Sequence, residues 1–484
     1  MHDRLLPNLL AASGIGLLVG IAALSFSPLL VLGILAAAAL FIYAILKRPE
    51  IGLLGYLIIT STIIERSNLP RIPIGVGRLL ITDIILLAMI GLILIRLLVE
   101  SDFKIIHTPL DLPLLAFGGI GMLATFLAIG QSSLTLNESL GEVRTVFSYM
   151  TFFIVTNLVR EKGQLRTLIK GLFLLATIVA LATIAQFILG NSVRILPGRV
   201  ETLGTQGMRF LEVTRVIPPG QSVMVVAFIA VFTTLVLQRT RLIDALKLLQ
   251  CSLLGLAIVV TFFRASWIMI ALTVLIIGFL ANRQERQKLL LWVLGAILSV
   301  TVILMVVMEQ PESRAASLAR AAFARLGTLA NVATYEDQSS SLRSRDFEYG
   351  YALPKILANP FVGLGLGARY RPLTLRDYET FDGRRFIHNG HVYILLKTGV
   401  FGYVGLLWFM LCVLVRGLRY WRHISEPYMR GIVLAFALTS LGVLIVSIVE
   451  PYVMTPGWTP VIGIIAGINE IVLCRFSPGP SVVR

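Results

Sequence analysis

Apolar stretches of about 18 or more residues recur along most of the chain, separated by short polar joints. A helix rises about 1.5 Å per residue, so each such stretch is long enough to cross a hydrocarbon core of ~30 Å. The runs predict about fourteen transmembrane helices. They lie over 8–25, 28–46, 51–65, 79–99, 109–129, 141–159, 167–189, 217–237, 244–262, 265–281, 288–308, 390–415, 429–448 and 458–474. The apolar run 244–281 divides at Phe263-Arg264, being too long for one helix and carrying a central arginine that lipid would penalise.

The joints alternate in character. One set is basic: Lys47-Arg48, Arg160 to Arg166, Arg239 with Arg241, Arg283 to Lys288, and Arg416 to Arg422. Short basic joints beside spans belong in the cytoplasm, which puts both termini there too. The other joints, near 26–27, 66–78, 130–140, 190–216, 263–264, 309–389 and 449–457, then lie outside. The first span reads as retained rather than cleaved, because no small-residue cleavage pattern precedes the next apolar run. The organisation expected is a first block of eleven helices (1–308), a large helical extracytoplasmic loop (309–389), and helices twelve to fourteen (390–484). In the loop, SRAASLARAAFARLGTLA and SLRSRDFEYGYALPKILANP have helical spacing, and VGLGLG (362–367) is a glycine-rich turn.

Composition agrees. Of 484 residues, 57% are hydrophobic and 14% charged, against roughly 25% charged in soluble domains. Mean hydropathy is +0.87. The chain is therefore expected to be an all-α polytopic membrane protein. Cys251, Cys412 and Cys474 fall in apolar or edge segments and suit neither a disulfide framework nor a metal site. Part of the net charge of +16 is the usual cytoplasmic excess of Lys and Arg, and part is available for an anionic ligand.

Three outward joints feed helices running back into the membrane, with Arg215 before 217–237, Arg264 opening 265–281, and His388-Asn389 opening 390–415. Helix N-termini carry unsatisfied N–H groups and partial positive charge. Together with two guanidiniums they would suit a phosphate or pyrophosphate. Each residue has a bland reading: a solvated loop arginine, an interface-snorkelling arginine, a capping histidine. His388 with His391 lacks a third metal ligand, so no metal is expected. Asp83 is the charge nearest a span centre, and polar groups gathered at the outer mouth favour surface chemistry over ion-coupled transport.

The stretch HNGHVYILLKTGVFG, 388–402, fits His-[Asn/Ser/Gln], nine residues, then Gly-x-x-Gly. It resembles the O-antigen ligase family, which includes lipopolysaccharide O-antigen ligases and Wzy-type polysaccharide polymerases. SRDFEYGYALPKILANPFVGLGLG is similar to the family's helix leading into Asn-Pro-x-x-Gly-x-Gly, and TFFRASW to its Ser-Arg-[Gly/Ala] helix start, with Phe263 where Ser is common. TRVIPPGQ resembles the upstream arginine segment, with Arg199 and Arg209 competing for that role. The resemblance implies a GT-C-type glycosyltransferase of the bacterial inner membrane, acting at its outer face without cofactor. Its donor would be a glycan on undecaprenyl diphosphate, and its acceptor a glycolipid or growing glycan. By motif match, Arg264 and Arg215 would hold the diphosphate and His388 would sit by the acceptor. Asn389, Arg343, Arg345, Arg369, Arg371, Tyr393 and Trp267 are candidates for glycan, diphosphate or lipid contacts. Ligase and polymerase share these motifs. A lipid transporter or flippase, or a non-catalytic scaffold, remains as a different class. No nucleic-acid partner is expected.

Overall fold

The computed structural model describes residues 47–64, 71–74, 77–190, 193–205, 208–238, 244–309, 314–330, 340–373 and 383–476. The first two expected spans lie outside the described residues. The other apolar runs fold as helices: α1 (Pro49–Leu57), α2 (Ile81–Val99), α3 (Asp111–Gly130), α4 (Leu136–Phe147), α5 (Thr151–Leu158), α6 (Lys162–Leu189), α7 (Gln221–Leu237), α8 (Ala245–Val260), α9 (Arg264–Leu280) and α10 (Arg283–Met308). Then come α11 (Arg314–Ala330), α12 (Ser340–Ala358), α13 (Gly390–Tyr420), α14 (Pro427–Val446) and α15 (Thr459–Arg475). Starts coincide with capping residues. Thr135 and Glu138 form a capping box on α4, Asn282 and Glu285 another on α10, and Asp244 caps α8.

Six described helices, α2, α3, α6, α10, α13 and α14, are long and apolar enough to cross a membrane, and α1, α7, α8 and α9 are shorter apolar helices. The protein is a largely helical membrane protein. Peripheral helices keep large apolar side chains outward, as α10 does with Leu291, Leu294 and Leu298, which is what a lipid-facing surface requires. The centre is formed by α7, α14 and α15, most of whose side chains are buried. An aromatic node ties in its neighbours: Tyr149 meets Phe117 edge-on at 5.8 Å and Phe409 at 6.1 Å, and its hydroxyl donates to the Val453 carbonyl at 2.9 Å.

Three local features differ from the sequence reading. The run 141–159 is not one helix, because α4 and α5 are separated by a 3₁₀ turn at Ser148–Met150. Two joints contain antiparallel hairpins, β1 (Arg71–Ile74) with β2 (Gly77–Leu80), and β3 (Arg199–Thr205) with β4 (Met208–Ile217). In the second, Leu203 and Val213 turn into a small core with Phe262 and Ala321, which favours pairing over a disordered joint. The expected division of 244–281 is present. Phe262, at φ 50°, turns the chain between α8 and α9.

The basic joints 160–166 and 416–422 meet at one end of the bundle. Arg166 and Lys162 pair with Glu426 at 2.8 and 2.6 Å, Arg422 donates to the Leu280 carbonyl, and Arg416 grips Glu470 through two bonds of 2.8 and 2.9 Å. Since α9 ends at this end, its first residue, Arg264, is at the other.

The glycine-rich turn serves packing. Leu364 and Gly365 donate backbone bonds to the Leu396 and Lys397 carbonyls, and Val400 donates to Pro360, so the turn docks on a break in α13 at Gly399, φ 62°. A Cβ on Gly399 would lie 2.3 Å from the Phe361 carbonyl. Gly399→Ala is expected to destabilise the protein by more than the roughly 1–2 kcal/mol that left-handed backbone costs an L-residue. Thermal unfolding in detergent measures this, and an unchanged midpoint would show that the break is dispensable.

Candidate active site

Arg264 is the first residue of α9, half-buried, and Phe263 before it is the N-cap. The Phe263 ring stacks on Tyr452 at 6.4 Å, and Tyr452 stacks on Trp458 at 4.2 Å, an aromatic wall joining the α8–α9 corner to the segment before α15. The first turn of α9 is tied to α7 by Gln221, whose amide donates to Ser266 Oγ at 2.9 Å.

Arg215 reaches the same corner by a different route from the one expected. It does not stand at a helix N-terminus, because α7 begins at Gln221 and Arg215 is on β4. Its cross-strand partner in β3 is Glu201. Nη1 donates to Glu201 Oε1 at 3.0 Å and Nε to the Thr261 carbonyl at 3.4 Å, with the guanidinium 5.7 Å from the Phe263 ring centre. The hairpin thus aims Arg215 at the start of another helix. Burial pushes its pKa down, against the pull of Glu201.

His388 approaches from α13. Asn389 caps that helix, its Oδ1 accepting from the N–H groups of His391 at 2.9 Å and Val392 at 3.2 Å. Its amide donates to Tyr349 Oη on α12 at 3.1 Å. The neighbouring Glu348, only 5% exposed, accepts from the His388 backbone N–H at 2.9 Å and lies 2.7 Å from His388 Nδ1. With one oxygen already accepting from the backbone, the other is placed to accept a hydrogen bond from His388 Nδ1–H. That tautomer leaves Nε2 with a lone pair on a ring that is 37% exposed. The Phe386 ring meets the imidazole edge-on at 5.0 Å and restricts its rotation.

Glu450, half-buried after α14, brings these parts together. Burial pushes its carboxyl above the usual carboxylate range, and His388, Arg345, Arg215 and Arg264 pull the other way. One carboxyl thus lies in electrostatic reach of guanidiniums on α12, β4 and α9 and of the imidazole before α13. Arg345 is fixed beside it by a 3.1 Å bond from Nη2 to the Val449 carbonyl.

Several other candidates are committed elsewhere. Tyr393 is buried and donates to Glu142 Oε1 at 3.0 Å, so its hydroxyl helps hold a structural knot with Lys397, which is 3.1 Å from the same carboxylate. Gly367 N–H donates to the other Glu142 oxygen at 2.7 Å. Trp267 packs beside the Phe262 core and donates to the Ile258 carbonyl at 3.4 Å. Arg369 pairs with Glu138 at 3.0 Å, and Arg371 lies 5.7 Å from the Phe347 ring. Arg199 is exposed and pairs with Glu201 at 2.7 Å. The side chains of Arg343 and Arg209 lie outside the described residues. His391 does not share the surroundings of His388: Nε2 lies 2.9 Å from the Leu444 carbonyl and Nδ1 3.2 Å from Tyr403 Oη. Asp83 caps α2 and binds Arg144 at 2.7 Å, a structural use of that charge.

Glu348, Glu450 and Arg325 were not singled out from the sequence. Glu348 sits in a segment read only as a helix, and Glu450 in a short joint with nothing to mark it. Arg325 had a faint signal, standing where the apolar stripe of α11 continues.

The fold and this cluster define a helical membrane protein with guanidiniums, a carboxyl and a carboxylate-held imidazole at one end of its bundle. Residues 249–407 match the family model described as O-antigen ligase, so over that segment the chain is similar to the O-antigen ligase family. Members of the family are glycosyl-transferring enzymes. No curated protein matches the chain. The matched segment runs from α8 into α13 and includes Arg264, Arg325, Arg345, Glu348, His388 and Asn389, while Arg215 and Glu450 lie outside it.

Proposed function

We propose that the protein transfers a glycan from undecaprenyl diphosphate to an acceptor sugar hydroxyl at the outer face of the bacterial cytoplasmic membrane, as an O-antigen ligase. About fourteen helices in a GT-C-type arrangement would carry the site, with the basic joints in the cytoplasm. The single observation supporting this reading most is that the segment 447–452 is met from three sides, by Gly390 just after His388, by Arg345, and by Phe263 next to Arg264. An imidazole beside a cation cluster is what attack on a diphosphate-linked sugar needs.

In this mechanism Arg215 and Arg264, with Arg345 beside them, bind the diphosphate. One guanidinium–phosphate contact at effective dielectric ~20 is worth roughly 4 kcal/mol gross. His388 Nε2 removes the proton of the acceptor hydroxyl, and Glu348 holds the ring by Nδ1. The acceptor oxygen attacks the anomeric carbon as the bond to the phosphate oxygen breaks, and that electron pair leaves on undecaprenyl diphosphate. A single displacement inverts the anomeric configuration. The cation cluster stabilises the charge gained by the leaving group, and it is already in place before reaction.

A deletion strain tests the reading through its carrier-lipid pools. The expected result is long glycan chains accumulating on carrier lipid with loss of glycan from the acceptor glycolipid. Accumulation of single repeats instead would make the protein a polymerase of the same family. Unchanged pools would remove both.

A further inference from the structure

The packing face of α11 contains a charge that the scheme above leaves unused. Leu318, Ala321, Ala322 and Arg325 stand at i, i+3, i+4 and i+7 and share one stripe. Ala321 is fully buried in the small core with Leu203 and Val213 of the β3–β4 hairpin and Phe262 of the α8–α9 corner, with Leu318 and Ala322 packed against it. The stripe continues to Arg325, which is 8% exposed, whereas Arg320 on another face is exposed. Long cationic side chains ordinarily lead their charge out to water. Here α11 leads it inward, against the hairpin that carries Arg215 and the corner that carries Arg264.

Burial, and then the charges of Arg215 and Arg264, push the Arg325 pKa down to about 10, so the group is still a cation at neutral pH. Glu201 faces it and also pairs with Arg199 and Arg215. Three guanidiniums brought together out of water repel one another, and a bound polyanion removes that cost.

We propose that Arg325 is a third donor-binding guanidinium, contributed by the helix α11 to the diphosphate of the lipid-linked donor. This rests on the donor site proposed above and deepens it. As the anomeric carbon–oxygen bond breaks, its electron pair goes to the diphosphate oxygen, and Arg325 with Arg215 and Arg264 holds the charge that develops there. Acceptor binding, on the His388 side, does not involve Arg325.

The test uses the full-length protein in detergent, with kcat and KM measured separately for donor and acceptor. Inhibition by undecaprenyl diphosphate, the leaving product, gives a direct measure of the diphosphate site. Arg325→Ala is expected to lower kcat/KM for the donor about 100-fold, the scale of losing one fixed charge-stabilising donor. It should also weaken product inhibition while the acceptor KM stays at the wild-type value. Arg325→Lys recovers part of both donor effects, and Arg320→Ala leaves all parameters unchanged. Arg325→Met keeps the packing stem, so it should retain the unfolding midpoint yet lose product inhibition. Wild-type donor kinetics and product inhibition in Arg325→Met overturn the proposal. So does a loss shared equally by donor and acceptor in step with a lowered unfolding midpoint, which marks a structural role. If Arg264→Ala is impaired in donor steps when Arg325→Met is not, the donor site stands without Arg325. If neither variant alters them, the donor site itself falls.

Discussion

His388→Ala is expected to lower kcat for glycan transfer by about 10²–10⁴-fold, the range that positioned general bases contribute. The imidazole is held at Nδ1 by buried Glu348 and edge-on by Phe386, with Nε2 left to accept a proton. Arg215 is held by Glu201 and Thr261, and Arg345 by Val449, independently of the His388 ring. Donor binding should therefore persist in the variant. Glu348 keeps the His388 backbone N–H but loses its side-chain partner, an added folding cost of about 1–3 kcal/mol for a buried polar group. Single-turnover transfer, donor retention on the purified protein and the unfolding midpoint separate these effects. Transfer at the wild-type rate would end the role of His388 as base.

The second large effect is expected from Arg264→Lys. The change keeps a positive charge at the start of α9, but it replaces a planar fork of donors by a point charge on a flexible stem. If Arg264 binds two diphosphate oxygens at once, kcat/KM should fall by about 10²–10³-fold, comparable to losing a fixed transition-state donor. If charge at this position is all that counts, lysine should restore nearly everything that alanine removes. Steady-state kinetics on Arg264→Lys and Arg264→Ala side by side give the answer, and near wild-type turnover of the lysine variant would refute a bidentate diphosphate contact.

The helices are legible in the sequence because lipid imposes a simple rule: an apolar run of sufficient length must satisfy its own backbone, and it does so as a helix. The α8–α9 corner followed from the same rule, since Arg264 in mid-span would have been costly. The hairpin carrying Arg215 was not legible. Strand pairing of β3 with β4 depends on Leu203 and Val213 finding Phe262 and Ala321, residues far away in the chain. The break between α4 and α5 was equally hidden, since Ser148 and Tyr149 interrupt no apolar run in a way that hydropathy registers. Their bonds to Tyr56 and Val453 are tertiary.

Membrane residence, the alternation of basic joints and the His388-Asn389 helix start follow from residue order, because hydropathy, charge bias and capping act over a few neighbouring residues. The neighbours of each functional group do not follow from it. Glu348 behind His388, Glu450 among the cations, Arg215 on a strand and Tyr393 diverted to Glu142 depend on contacts spanning tens to hundreds of residues. Only packing of the folded bundle can set such contacts, since electrostatic and hydrogen-bond partners are chosen by distance in space.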